Sequence, residues 1–296
     1  MAGRVPVAAP PARHVDAAEL CEAAEAIARQ AGELIAERYE QGGAEHQKGH
    51  AHNLVTATDL ASEALMTAAL RARFPGHRIV AEEGGDLSGD DPDGPDAVTW
   101  VVDPLDGTNN FAHGVPIFCA TLAALVGGVP VAGATFDPLR DELFAAAQGQ
   151  GAFLNGRPLR VSRRETLDQS LVVTGFPYDK SSNPDNNVAE VVAVVPHVRG
   201  FRRTGSAAID LAWVAAGRFE AYWERGTKAW DVAAGVLLVQ EAGGYVTDMD
   251  GGPVAVDGGR FLASNGRVHQ ALLERLRAAS PLRGALAAWL PPGGGL

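Results

Sequence analysis

The stretch from Trp100 to Phe111, Trp-Val-Val-Asp-Pro-Leu-Asp-Gly-Thr-Asn-Asn-Phe, constrains this chain more than any other. It opens as an apolar, strand-like run. It ends on two carboxylates three positions apart, Asp103 and Asp106, with Gly107-Thr108 directly behind them. Strand ends are where α/β folds build sites. Carboxylates placed there hold hard cations, and the free amides that follow suit an anion such as phosphate. Both acids face one site if Pro104 turns the chain sharply between them, and the Leu105 carbonyl then adds another oxygen. The plain reading is a Mg²⁺-dependent phosphate site.

The rest of the chain reads as elements that could frame such a site. Asp16 is placed to cap a first helix, with Glu19 in a capping-box position. Leu20, Ala24, Ile27, Ala31 and Leu34 fall on its apolar face, and it fades near Gly42-Gly43. A polar segment holding Lys48 follows. Asn53 to Asp59 reads as a short strand or turn that opens a second helix, ending near Pro75-Gly76. Arg78 to Ala81 reads as a strand stopping at Glu82-Glu83, and Gly84 to Pro95 as an exposed loop. Cys119 to Ala147 predicts a meander, with a further hairpin at Asn155-Gly156.

Beyond residue 168 strands and helices alternate, with helices expected near 188–195, 205–217, 230–242 and 272–273. The pattern predicts an α/β protein: an α+β half over 16–168 and a layered α/β half over 169–278. Residues 1–15, rich in Pro and Ala, and 279–296 are expected to be loose tails.

Composition narrows the function. With 296 residues, 46% hydrophobic and 21% charged, the chain can bury one large core or two coupled ones. A net charge of −11 argues against nucleic acid as a partner, but not against an anionic substrate, because bound metals reverse the local field. Two cysteines, Cys21 and Cys119, make no disulfide framework and lack zinc spacing. No convincing secretion signal and no membrane-length apolar stretch is present, so the cytoplasm is the expected location.

Four acidic positions stand where apolar runs stop: Asp59, Glu82, Asp103 with Asp106, and Asp231. Glu82-Glu83, then Asp103-Pro104-Leu105-Asp106-Gly107-Thr108, then Trp230-Asp231-Val232-Ala233-Ala234-Gly235, resembles the inositol monophosphatase family of lithium-sensitive, Mg²⁺-dependent phosphatases. Three separated motifs in order carry the resemblance, which runs from about Ala18 to about Leu276. It implies a layered αβαβα sandwich of the sugar-phosphatase type and a homodimer.

The resemblance also implies roles. Glu82, Asp103 and the Leu105 carbonyl would hold one metal, and Asp103, Asp106 and Asp231 a second. Glu82 would help hold a third, giving two or three Mg²⁺ per site. Thr108, paired with Asp59, would orient and help deprotonate an attacking water, assisted by Glu82. The Gly107 and Thr108 amides would bind phosphate. Gly205, Ser206, Ala207, Glu224, Asp106 and Asp231 would meet the substrate, and Lys48 would sit on a loop beside it. The expected reaction is direct hydrolysis of a small polyol phosphate such as myo-inositol 1-phosphate, inverting phosphorus.

Other readings stay open. Asn53 stands where Asp is common in the family, Ala207 and Ala208 make the substrate wall less polar, and Arg225 and Lys228 flank the approach to Asp231. Glu224 suits a hydroxyl-rich alcohol or a cationic amine. Histidinol-phosphate phosphatase therefore stands next, with fructose-1,6-bisphosphatase and a nucleotide 3′-phosphatase behind it. From another class comes a regulatory partner of RNA or the transcription apparatus. His46, His50 and His52 suit Zn²⁺ or Ni²⁺ better than Mg²⁺ and read as a solvated loop. His113 and Cys119 read as packing beside the site. Asp86, Asp90, Asp91, Asp93 and Asp96 read as solvated charges.

Overall fold

The computed structural model describes residues 16–40, 45–47, 54–87 and 97–279. Lys48, Asn53, His50, His52, the acids from Asp90 to Asp96 and the expected tails, apart from the buried Ala279, lie outside the described residues. The first helix, α1 (Ala17–Glu40), starts at Asp16, whose Oδ1 accepts from the Ala18 and Glu19 amides at 3.0 and 3.3 Å. Its buried residues Leu20, Ala24, Ile27, Ala31 and Ile35 recur every three or four positions, the spacing of one helix face. β1 (Glu45–Gln47) and β2 (Leu54–Thr56) form a small antiparallel pair ahead of α2 (Ala57–Arg73).

Next come β3 (Arg78–Ala81), β4 (Gly85–Leu87), β5 (Val98–Asp106) and the short α3 (Thr108–Ala112). The meander is β6 (Cys119–Val126), β7 (Val129–Asp137), β8 (Glu142–Ala147), β9 (Gly151–Leu154) and β10 (Arg157–Pro158). These strands build one sheet in the order β10-β9-β8-β7-β6-β5-β3-β4. Its pairings are antiparallel apart from β3 with β5.

The second half supplies β11 (Leu171–Thr174), α4 (Val188–Val194), β12 (Gly200–Arg202), α5 (Ala207–Ala215) and β13 (Ala221–Arg225). It closes with α6 (Ala229–Glu241), β14 (Tyr245–Thr247), β15 (Arg260–Ser264) and α7 (His269–Ala278). The second sheet runs β12-β11-β13-β15-β14. β11 is parallel to both its neighbours, and β15 is antiparallel to both of its own.

Three hydrophobic cores set the layering. α1 and α2 cover one face of the large sheet, with Trp100, Leu122 and Phe136 beneath them. α5 and α6 lie between the two sheets and share a core with Val101, Phe144, Tyr222 and Phe261. α4 and α7 cover the far face of the small sheet, around Trp223, Leu262 and Leu272. The result is the expected α-β-α-β-α sandwich. α6 and α5 meet closely because Gly235 faces Leu211: a Cβ at 235 would lie 2.4 Å from the Leu211 Cβ.

Two local expectations change. The stretch read as loop from Gly84 contains β4, whose Asp86 pairs with Arg78 of β3. Pro104 makes no sharp turn, because β5 runs through it to Asp106. Instead, Asp103 pairs with Thr121 and Asp106 with Cys119, so three steps on β5 match two on β6. Strict alternation would put residues three apart on opposite faces, and this bulge returns them to one side.

Candidate active site

The bulged end of β5 opens into a pocket between the two halves, and the chain's acids gather there. Asp103, Asp106, Glu82, Asp231 and Glu224 line it together with Gly107 and Thr108. They arrive from four elements: Asp103 and Asp106 from the end of β5, Glu82 from β3, Glu224 from β13 and Asp231 from α6. Glu82 follows β3 and extends its parallel pairing, its amide donating to the Val102 carbonyl at 3.1 Å. Its turn is pinned from α2, where Glu63 Oε2 accepts from the Glu83 amide at 2.8 Å. Asp231 stands in the first turn of α6, and its Oδ2 accepts from the Lys228 amide at 2.7 Å. A carboxylate there also meets the positive end of the helix.

Asp106 is anchored across the interface of the halves. It accepts from Ser206 Oγ at 2.5 Å, the Ala208 amide at 2.7 Å and the Ala207 amide at 3.2 Å. Ser206 is the N-cap of α5, so these are the free donors of a helix start. Asp103 Oδ1 accepts from the Leu105 amide at 3.0 Å. Gly107 has φ +98°, and a Cβ there would lie 2.8 Å from the Ile117 carbonyl oxygen, so glycine is needed on both counts.

A second, smaller unit stands beside the acids. Asp59 is fully buried in the first turn of α2 and closes a capping box, accepting from the Thr56 amide at 2.8 Å and Thr56 Oγ1 at 2.6 Å. Its other oxygen lies 3.0 Å from the Thr108 hydroxyl, which also lies 2.9 Å from the Leu105 carbonyl. A hydroxyl has one proton, so Thr108 donates to one of these at a time and keeps its lone pairs for another donor.

Burial and mutual repulsion dominate the electrostatics. Asp103 is pushed well above the usual carboxylate range, first by burial and then by the charges of Glu82, Asp106 and Asp231. Asp231 is raised in the same way, with the Lys228 amide opposing. In Asp106 the Ser206, Ala208 and Ala207 hydrogen bonds oppose the rise from burial. Burial also raises Asp59, against its bonds from Thr56 and Thr108. Glu224 is raised to about 7 by burial, while Tyr222 and Arg203 oppose.

A family model described as the inositol monophosphatase family matches residues 16–281. This chain belongs to the inositol monophosphatase family. An inositol-1-monophosphatase from Synechocystis sp. is 47% identical over 235 residues, which are 79% of this chain and 80% of that protein. The Nus factor SuhB of Pseudomonas aeruginosa is 44% identical over 257 residues, 86% of this chain and 94% of its own. The solved inositol monophosphatase of Anabaena (Nostoc) sp. PCC 7120 superposes with a TM-score of 0.81 at 43% identity, covering 90% of this chain and 98% of that one. The chain is accordingly a phosphatase of this family.

Within that family fold, Gly205, Ser206 and Ala207 do line the pocket, but Ser206 is buried and its hydroxyl holds Asp106. Arg225 was expected to flank the approach to Asp231. It does line the pocket with Lys228 and Asp231, but it is buried, its guanidinium bonded to Asp185 at 2.7 Å and Glu190 at 2.9 Å. Lys228 is exposed on the pocket wall. Cys119 does pack beside the site, its Sγ 3.8 Å from Asp106 Oδ2, whereas His113 is exposed at the end of α3. No helix among the described residues is long and apolar enough to cross a membrane.

Sequence reasoning missed several contributors. The segment Gly175-Phe176-Pro177-Tyr178 walls the pocket, as do Arg203 and Asp210. Asp210 carried a signal, an acid inside the apolar helix α5, and it is buried against the Thr204 hydroxyl at 2.6 Å. Glu63 carried a similar one, an acid on the buried face of α2.

Proposed function

We propose that this chain is a Mg²⁺-dependent phosphomonoesterase that hydrolyses myo-inositol 1-phosphate or a similar small polyol phosphate to the alcohol and phosphate. One observation carries the reading: four carboxylates on three separate element ends converge on one pocket whose edge is Gly107-Thr108.

The donor set fits a hard cation. The lining contains carboxylates, hydroxyls and backbone oxygens and neither imidazole nor thiolate. The acids also raise one another's pKa, an excess of negative charge that cations relieve. Among the described residues no three His, Cys, Asp or Glu side chains close into a cage. Mg²⁺ needs no cage, since it keeps waters and substrate phosphate oxygens. The family is metal-dependent. Glu82, Asp103, the Leu105 carbonyl, Asp106 and Asp231 are the residues that would hold two or three ions. Bound Mg²⁺ neutralises phosphoryl oxygens and acidifies water.

The chain's own residues do the rest. The Thr108 hydroxyl, held by Asp59, accepts a hydrogen bond from the attacking water and aims its lone pair at phosphorus. Asp59, raised by burial, is poised to take the proton that Thr108 passes on. Glu82 orients the same water from β3. Gly107 and Thr108 present backbone amides to the phosphate. Glu224 and the backbone around Gly205 face the alcohol. The pairing of two copies into a homodimer belongs to the same proposal.

The test of substrate is a panel with Mg²⁺ comparing kcat/KM for inositol 1-phosphate, histidinol phosphate, fructose 1,6-bisphosphate and 3′-phosphoadenosine 5′-phosphate. The reading expects inositol 1-phosphate to lead, and a clear preference for another ester overturns that assignment.

The SuhB relative, 44% identical and named a Nus factor, favours a second reading in which the fold serves a regulatory partnership. A pull-down that recovers polymerase components, together with negligible turnover on every ester, would favour it.

A further inference from the structure

The wall of the pocket opposite the acids is the start of a compact loop, and one side chain closes that loop at its neck. Asn187 lies 12 residues beyond Gly175, yet its Nδ2 donates to the Gly175 carbonyl at 2.6 Å. The same nitrogen donates to Thr174 Oγ1 at 2.8 Å, and Asn187 Oδ1 accepts from the Trp223 indole at 2.8 Å. Thr174 in turn gives its hydroxyl proton to the Trp223 carbonyl. The circuit joins the ends of β11 and β13 and uses both amide protons of Asn187. Asn187, Thr174 and Trp223 are all fully buried. A loop of this length with joined ends and internal packing is an Ω-type loop.

The backbone at the neck is set for this role. Asn187 has φ +71°, a left-handed conformation that side chains other than glycine rarely adopt. Asn tolerates it better than most, and buried hydrogen bonds that would otherwise be lost hold it there. α4 begins directly after it, and Glu190 of that helix holds Arg225 at the end of β13. Asp185, inside the loop, bonds the same guanidinium. Alternation along β13 divides the work. Trp223 and Arg225 face α4 and the loop neck, while Glu224 faces the pocket.

What the neck fixes is close to the substrate. Gly175 touches Glu224 so closely that a Cβ there would lie 2.1 Å from Glu224 Oε1. Pro177 presses on Gly226, where a Cβ would lie 2.8 Å away. Tyr178, 49% exposed, stands at the mouth. A movement of a few tenths of an ångström at Gly175 therefore changes the room beside Glu224.

We infer that Asn187 is a positioning residue. By closing the 175–187 loop on β13, it fixes the wall that receives the alcohol part of the substrate, while the phosphate half of the site is held independently by β5 and α3. This rests on the phosphatase reading above.

Asn187→Gly tests it with little risk to folding, because glycine adopts φ +71° without strain and only the amide is lost. Asn187→Asp is the second variant, keeping the acceptor for Trp223 and removing the donor to Gly175. Hydrogen exchange on the full chain is read over 175–186, alongside kcat, KM and inhibition by inorganic phosphate. In both variants amides in 175–186 should exchange about tenfold faster while other segments keep their protection. KM for inositol 1-phosphate should rise about tenfold, with kcat and the phosphate inhibition constant within about twofold.

Unchanged exchange at 175–186 overturns the inference, as does faster exchange with an unmoved KM. So does a KM that rises in step with the phosphate inhibition constant, the mark of general loosening. Absence of turnover in the unaltered chain would overturn the phosphatase reading itself, and the exchange result alone would then decide whether Asn187 closes the loop.

Discussion

The Thr108 hydroxyl lies 3.0 Å from Asp59 Oδ1 across 49 residues of chain. The same carboxylate caps α2 through Thr56, so one buried acid serves helix and site together. The two duties separate by mutation. Thr108→Val removes the hydroxyl and leaves the cap, so kcat should fall by about 10² to 10⁴ with little change in unfolding free energy. Asp59→Ala should lose similar activity and also about 1–3 kcal/mol of stability, from the cap and the polar groups left buried. Steady-state kinetics and urea unfolding on both variants check this. A Thr108→Val protein with normal kcat would remove Thr108 from the chemistry.

Asp106 is the acid tied to the second half of the molecule, through Ser206 and the first amides of α5. Asp106→Asn sets an amide NH₂ against donors already aimed at that position and deletes a charge that the proposed cations would require. Turnover should fall by at least about 10³, several kcal/mol of lost transition-state stabilisation. Ser206→Ala should cost less, because the two amides remain. Comparing kcat/KM for the two variants checks the order, and equal losses would contradict it.

His269 gives a pH dependence of stability far from the site. Its ring is buried between Ser264 Oγ at 2.9 Å and Thr247 Oγ1 at 3.0 Å, and burial lowers its pKa from 6.5 to about 4. The folded protein thus refuses a proton that the unfolded chain accepts below about pH 6.5. This contribution is intact above pH 6.5 and is lost as pH falls, amounting to about 3 kcal/mol by pH 4. Urea unfolding at pH 7 and pH 4 should show that His269→Gln loses about that much less than the parent. Equal losses in the two proteins would show that His269 stays neutral in neither state or in both.

The parts legible in the sequence were those whose signal is local. The acids at Glu82, Asp103, Asp106 and Asp231 ended apolar runs, and the helices around Leu20 and Trp230 showed their spacing. The bulge at Pro104 was hidden, because it exists only in the pairing of β5 with β6. The anchoring of Asp106 was hidden for a similar reason, since two of its donors are backbone amides about a hundred residues away. The burial of Arg225 was hidden, because only the placement of Asp185 and Glu190 around its guanidinium shows it. Asn187 gave no signal, because a left-handed buried Asn looks like any Asn in a polar loop.

The central claim is that the converging acids work by holding Mg²⁺ for phosphate-ester hydrolysis. The direct measurement is phosphate release from inositol 1-phosphate as Mg²⁺ is titrated into chelator-treated protein, with Asp231→Asn in parallel. Turnover should be absent in excess EDTA, return with added Mg²⁺ and stay lost in Asp231→Asn at every Mg²⁺ concentration. Undiminished turnover in EDTA, or full activity of Asp231→Asn, would contradict it.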